Sequence, residues 1–196
     1  MTETLQPSFR VFAGRRSFLK RSGGAVLSAT AIALLSGSES LAATHKNKGS
    51  EANDANVLNT ELGVEYEGIA AYQVAAESGL LQKPVLDLAK QFQGQHKAHA
   101  DLLAKTVKKL GGKPTEPKPT AEYEFPVEKL KNQTDILRFA ADLERGAASA
   151  YLGAIPVLGD RDLARIIASI LGDETMHWAI LRQALGENPV PEDFIA

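Results

Sequence analysis

His96-Lys97-Ala98-His99 and Glu174-Thr175-Met176-His177 are the two stretches that decide how this chain folds. Each sets two ionisable residues three apart, a spacing that puts both side chains on one face of a helix. Each also interrupts an apolar stripe. Val85, Leu88, Phe92, Leu103, Val107 and Leu110 flank the first, and Leu163, Ile167, Ile170, Leu181 and Leu185 flank the second. Steps of three and four along such a stripe are those of an amphipathic helix. The first helix is expected to open near Pro84, a favoured first-turn residue, and to stop at Gly111-Gly112. The second is expected to open near Asp160 and to end at Gly186.

Working outward, two more segments carry the same period. One spans about 54–78 with Leu58, Leu62, Glu65, Ile69, Tyr72 and Ala76 on its stripe. The other begins near Thr134 or Asp135, either able to cap it, and carries Leu137, Ala140, Glu144, Ala148, Tyr151 and Ile155. No segment alternates with period two for long enough to argue a sheet. The turns over Ser78–Lys83 and Pro156–Asp160 are short, so the helices they join should be antiparallel. Between the second and third helices runs a link over Lys113–Gln133 with prolines at 114, 117, 119 and 126. Extended at roughly 3.3 Å per residue, it can run the length of a bundle. The expected fold is all-α, a four-helix bundle of two antiparallel hairpins joined by one long crossover. Two separate hairpins would each bury too little apolar surface to stand alone.

The four helices form a repeat. Glu65 and Tyr72 recur as Glu144 and Tyr151 at an offset of 79, and His96 and His99 align with Glu174 and His177 at an offset of 78. Such spacing indicates two copies of one hairpin about an approximate two-fold axis. Glu65, His96, His99, Glu144, Glu174 and His177 would then converge in the core. Buried carboxylates without partners are costly, and divalent metal ions compensate carboxylates and imidazoles together. The composition agrees: of four histidines in the chain, three belong to this set, and the fourth is His45. With no cysteine, the chain has no thiolate zinc site, cysteine-ligated iron–sulfur cluster, disulfide or cysteine nucleophile.

A Glu, an x-x-His, a Glu and a Glu-x-x-His on four successive helices resemble the ferritin-like di-iron and di-manganese carboxylate proteins. The resemblance covers residues 54–186. It implies that Glu65 and Glu144 are single-carboxylate ligands, that Glu174 bridges two metals, and that His99 and His177 complete the set. It further implies one or two divalent ions, iron or manganese, and oxidoreductase or metal-oxidase chemistry with O2 or peroxide. A non-catalytic metal-binding or envelope stress-protection protein is the alternative. The chain departs from the family at His96, where the family has Glu. An imidazole does not bridge as a carboxylate does, and ligand charge falls from −4 to −3. An asymmetric centre, a mononuclear one and selectivity for another transition metal are all open.

The N-terminal region reads differently. Arg15-Arg16, then Phe18-Leu19-Lys20, precede an uncharged stretch from Ser22 to Ser38 and a small-residue exit at Ser40-Leu41-Ala42. This resembles a twin-arginine export signal, with Gly14 where Ser or Thr is usual, and the stretch falls short of a membrane span. The resemblance implies recognition by the twin-arginine machinery and a periplasmic or extracytoplasmic location. The expected divisions are a signal peptide at 1–42, a flexible tether at 43–53, the bundle at 54–186 and a C-terminal tail at 187–196. Cleavage after Ala42 leaves 154 residues. It removes five basic and two acidic residues from 22 and 24, leaving 17 and 22.

That charge gives no reason to expect nucleic acid as a partner. Lys105, Lys108, Lys109 and Lys113 suit a helix C-terminus, where the dipole favours cations. Tyr72 and Tyr151 are either core aromatics with a satisfied hydroxyl or donors to the ligand carboxylates. Asp101 and Asp173 are candidates for orienting ligand histidines. Trp178 is expected at the bundle's edge, and Met176 gives no haem-ligand signal. Nothing in the sequence argues for a multi-subunit shell, and monomer and dimer are equally open.

Overall fold

The computed structural model describes residues 48–192 and 194–195. The twin-arginine signal expected at 1–42 and the start of the tether lie outside them. Four α-helices carry the fold: α1 over Lys48–Glu77, α2 over Lys83–Lys109, α3 over Gln133–Ala154 and α4 over Arg161–Ala184. Short 3₁₀ turns fall at Thr120–Glu122, Val127–Lys129 and Ile155–Val157. The described residues contain no strand, and none of their helices is long and apolar enough to cross a membrane. The all-α reading, with two hairpins and a crossover, is the architecture found. α1 packs mainly on α2, and α3 mainly on α4.

Two boundaries differ from expectation. α1 opens at Lys48, inside the segment read as a flexible tether over 43–53. Its first turns are held by polar anchors instead of an apolar stripe. The Asp54 carboxylate, 1% exposed, accepts from the amides of Gly159 at 2.8 Å and Asp160 at 3.1 Å. Asn53 Nδ2 donates to the Val157 carbonyl at 3.1 Å. These contacts tie the start of α1 to the α3–α4 loop, more than a hundred residues on. The second difference is at α3, whose cap is Asn132 and not Thr134 or Asp135. Asn132 Oδ1 accepts from the Asp135 amide at 3.0 Å, and the Asp135 carboxylate accepts from the Lys131 amide at 3.0 Å. The Asp135 side chain thus serves as the reciprocal member of the cap.

Other termini follow the sequence signals. Pro84 sits in the first turn of α2, and Asp160 caps α4 by accepting from Asp162 and Leu163 amides. Gly111 and Gly186 stop their helices at φ of 78° and 74°, a left-handed backbone that suits glycine. The crossover begins beside α1, where Asn59 clamps it: Asn59 Nδ2 donates to Lys113 O at 2.9 Å and Oδ1 accepts from Thr115 N at 2.8 Å. It ends at the opposite end of the bundle, where Gln133 Oε1 accepts from the Gln82 amide at 2.8 Å.

The core is divided in two. One apolar cluster centres on Leu58, Leu62, Leu103, Val107, Ile167 and Ile170, and the other on Phe92, Leu137, Ala140, Trp178 and Leu181. Burial of each large side chain contributes roughly 1.5–3 kcal/mol. Trp178 is buried, with the guanidinium groups of Arg145 and Arg182 over its ring. Between the two clusters lies a layer of ionisable groups.

Candidate metal centre

Each of the four helices brings its interrupting residues to that layer. Glu65, His96, Glu144, Glu174 and His177 are at most 3% exposed, and His99 is 9% exposed. All six sequence-predicted residues come together. They form two overlapping groups of four whose ligand atoms lie within 4.8 Å of one another: Glu65, His96, His99 and Glu174, then His96, Glu144, Glu174 and His177. His96 and Glu174 belong to both groups.

In the first group, His96 Nδ1 is 2.8 Å from Glu65 Oε2. His99 Nδ1 is 3.1 Å from Glu174 Oε1 and 3.4 Å from Glu65 Oε1. In the second, His96 Nε2 is 3.3 Å from Glu144 Oε1. His177 Nδ1 is 3.5 Å from both Glu144 Oε1 and Glu174 Oε2. Two ligands held roughly 2.0–2.2 Å from one ion sit roughly 3 Å apart, so these separations suit donors around a shared centre. Five buried atoms of the six residues make no hydrogen bond: Glu174 Oε1 and Oε2, Glu144 Oε2, His99 Nδ1 and His177 Nδ1. Buried polar atoms are almost always paired, and a bound cation accounts for a convergent set that is not. The residues therefore fit a divalent metal.

The remaining contacts follow a pattern that exchanges the two hairpins. The Tyr72 hydroxyl donates to Glu144, and the Tyr151 hydroxyl donates to Glu65. Of the two readings of these tyrosines, donation to the carboxylates is the one the geometry supports. His99 Nε2 is 3.2 Å from Asp173 Oδ2, and His177 Nε2 is 2.9 Å from Gln95 Oε1. Of the two candidates for orienting a histidine, Asp173 is the one that meets one, whereas Asp101 is exposed and outside the cluster. Gln95 was not anticipated, although the offset of 78 that links His96 to Glu174 also links Gln95 to Asp173. Partners of this kind fix the tautomer and raise the basicity of a ligand imidazole.

Electrostatics in the metal-free cluster follow from three carboxylates facing three imidazoles. Burial disfavours the charged form of His96, but the carboxylates of Glu144 and Glu65 outweigh it and hold the ring well above its usual pKa. Burial likewise opposes charge on His99, yet Glu174 and Glu65 raise it to about 10. His177 is raised by Glu144 and Glu174 against its burial. Burial would raise Glu144, but His177 and His96 hold it well below the carboxylate range. Protons on the rings thus stand in for the positive charge a metal would supply.

A further acid was missed. Glu61, one turn before Glu65, is 4% exposed and its Oε2 has no hydrogen bond. Burial, then the charge of Glu65, push its pKa up to about 7. The signal available was its place four residues from Glu65, which puts the two on one face.

One small-residue contact positions His96. A Cβ at Gly68 would lie 3.1 Å from both Nδ1 and Cε1 of the ring, so the absent side chain gives the imidazole its seat against α1. Beside it, a cavity of about 80 Å³ lies between α1 and α3, lined by Val64, Gly68, Tyr72, His96, Glu144 and Ala147 among others.

A four-helix bundle with a buried carboxylate–histidine cluster at its midpoint is the class this fold and site define. The family model for the ferritin-like domain matches residues 53–187, and the chain belongs to that family. Among solved structures, a conserved hypothetical protein, rv2844, from Mycobacterium tuberculosis is similar at 22% identity and a TM-score of 0.63, covering 76% of this chain and 99% of that one. Ferritin-like, diiron-carboxylate proteins from Bacillus anthracis str. Ames are similar at 22% identity and a TM-score of 0.58, covering 69% and 97%. At that identity both show a shared fold. Among curated proteins, none matches the chain.

Proposed function

We propose that this is an exported ferritin-like protein that holds iron or manganese at Glu65, His96, His99, Glu144, Glu174 and His177 and acts as an oxidoreductase or metal oxidase toward O2 or peroxide. The observation that carries the reading is the set of buried, convergent donor atoms without hydrogen bonds, Glu174 Oε1 and Oε2 first among them. Iron or manganese would supply one-electron redox chemistry and Lewis acidity at that point. The chain's own residues do the rest. Glu174 presents one oxygen to each group of four, and Glu65 and Glu144 each close one group. The Tyr72 and Tyr151 hydroxyls hold those two carboxylates in place, and both phenols stay protonated because burial and the adjacent carboxylates raise them.

The cavity beside His96 and Glu144 gives a small co-substrate such as O2 or peroxide room next to the cluster, because about 80 Å³ exceeds the space one water needs. That observation weighs toward an enzyme over a purely structural metal protein. Export rests on the Arg15-Arg16 signal and implies metal loading before translocation, since twin-arginine substrates are typically exported folded. The test is oxidant consumption by the iron- or manganese-loaded chain. Turnover that depends on O2 or peroxide and disappears in Glu174→Ala supports the enzyme. Metal binding without turnover would assign the chain to the non-catalytic alternative.

A further inference from the structure

Within the metal-binding reading, His96 raises a specific question, because it stands at a position where the partner hairpin has a carboxylate. Its repeat partner Glu174 turns Oε1 toward His99 and Oε2 toward His177, one oxygen for each group. The His96 ring does the same with nitrogens. Nδ1 faces Glu65 at 2.8 Å and Glu174 Oε1 at 3.8 Å, while Nε2 faces Glu144 at 3.3 Å. Its two ring nitrogens thus belong to different groups of four. The seat at Gly68 holds the ring between them, since any side chain there would push against Nδ1 and Cε1.

We infer that His96 is a bridging ligand, coordinating one divalent ion through Nδ1 and a second through Nε2. A ring bonded through both nitrogens keeps no N–H proton: the protonated ring of the metal-free chain gives up one proton as the first ion binds and the other as the second binds, and the ring becomes a mono-anion. This settles the charge deficit created by the loss of a carboxylate. Three glutamates leave two divalent ions with one uncompensated positive charge in a buried layer, a costly arrangement. The anionic ring supplies the missing negative charge, so the six residues neutralise two ions as four carboxylates would. The bridge also sets a spacing. Two metal–nitrogen bonds of roughly 2.0–2.1 Å on opposite sides of one imidazole hold the ions roughly 6 Å apart. Two-metal centres without such a ring commonly sit roughly 3.5–4 Å apart, so across the longer gap Glu174 gives one oxygen to each ion.

The distance makes the experiment. Crystals of the full chain loaded with Mn2+ alone would be measured by anomalous scattering, beside His96→Glu. The expected result is two ions roughly 6 Å apart, each bonded to one ring nitrogen of His96, shortening toward 3.5–4 Å in the variant. Two ions at the short distance in the wild type, or a single ion on one side of the ring, would overturn the bridge while leaving metal binding intact. A chain that binds no ion would overturn both the bridge and the metal reading. The wild-type measurement stands on its own if His96→Glu does not fold.

Discussion

The half of the centre built on Glu65 and His99 and the half built on Glu144 and His177 come from the same hairpin used twice, yet their surroundings differ. His99 meets the Asp173 carboxylate where His177 meets the Gln95 amide. Glu61 lies buried one turn from Glu65, and the position 79 residues on is Ala140, an apolar core residue. The first half therefore carries two acidic groups that the second lacks. Repetition built the shell of ligands, and divergence just outside it made the two halves electrostatically unequal. An ion entering the metal-free protein should fill the Glu65–His99 half first.

The largest expected effect comes from breaking what the halves share. Glu174→Ala removes the carboxylate common to both groups, and metal content should fall to none in either half by elemental analysis. Asp173→Asn should erase most of the difference between them. It should weaken the first half about 10–100-fold, the usual cost of losing a partner behind a ligand histidine, so that two binding phases in a calorimetric titration merge. The tyrosines should act across the axis: Tyr151→Phe weakens the first half and Tyr72→Phe the second. Each removes a hydroxyl's hydrogen bond to a buried carboxylate and lowers stability by about 1–3 kcal/mol in urea unfolding.

The pH dependence follows from the same charges. His99 is raised from 6.5 to about 10 in the folded, metal-free chain. Its contribution is fully present below 6.5 and lost as pH rises through about 10. Because an ion must displace that proton, affinity at the first half should climb as pH rises toward 10, followed by titrations at several pH values. Glu61 gives the smallest effect, and it too falls on the first half. Its folded pKa, raised from 4.5 to about 7, makes the metal-free chain lose stability as pH rises between those values. Glu61→Gln should flatten that decline in unfolding experiments at pH 5 and pH 8.

What could be read from the chain alone was whatever the repeat and the helical period touch. Glu65, His96, His99, Glu144, Glu174 and His177 were legible because each breaks an apolar stripe, and five of them are 3% exposed or less. The turns and the crossover were legible from glycine, proline and length. Contacts that depend on how hairpins exchange partners were not. Gln95 reaches His177 across 82 residues, and nothing local distinguishes it from the exposed Gln91. The residues just before Asp54 have no apolar period, so the first turns of α1, over 48–53, read as a tether. Their order comes from amides of a loop more than a hundred residues away. Glu61 was passed over because Leu58 and Leu62 already filled the stripe around it.

The central claim is that these six residues hold transition-metal ions, and metal analysis of the full chain recovered from its own export route tests it most directly. The account predicts two iron or manganese ions per chain in the wild type and none in Glu174→Ala. Wild-type protein carrying no transition metal, and taking none up when iron or manganese is supplied, would contradict it.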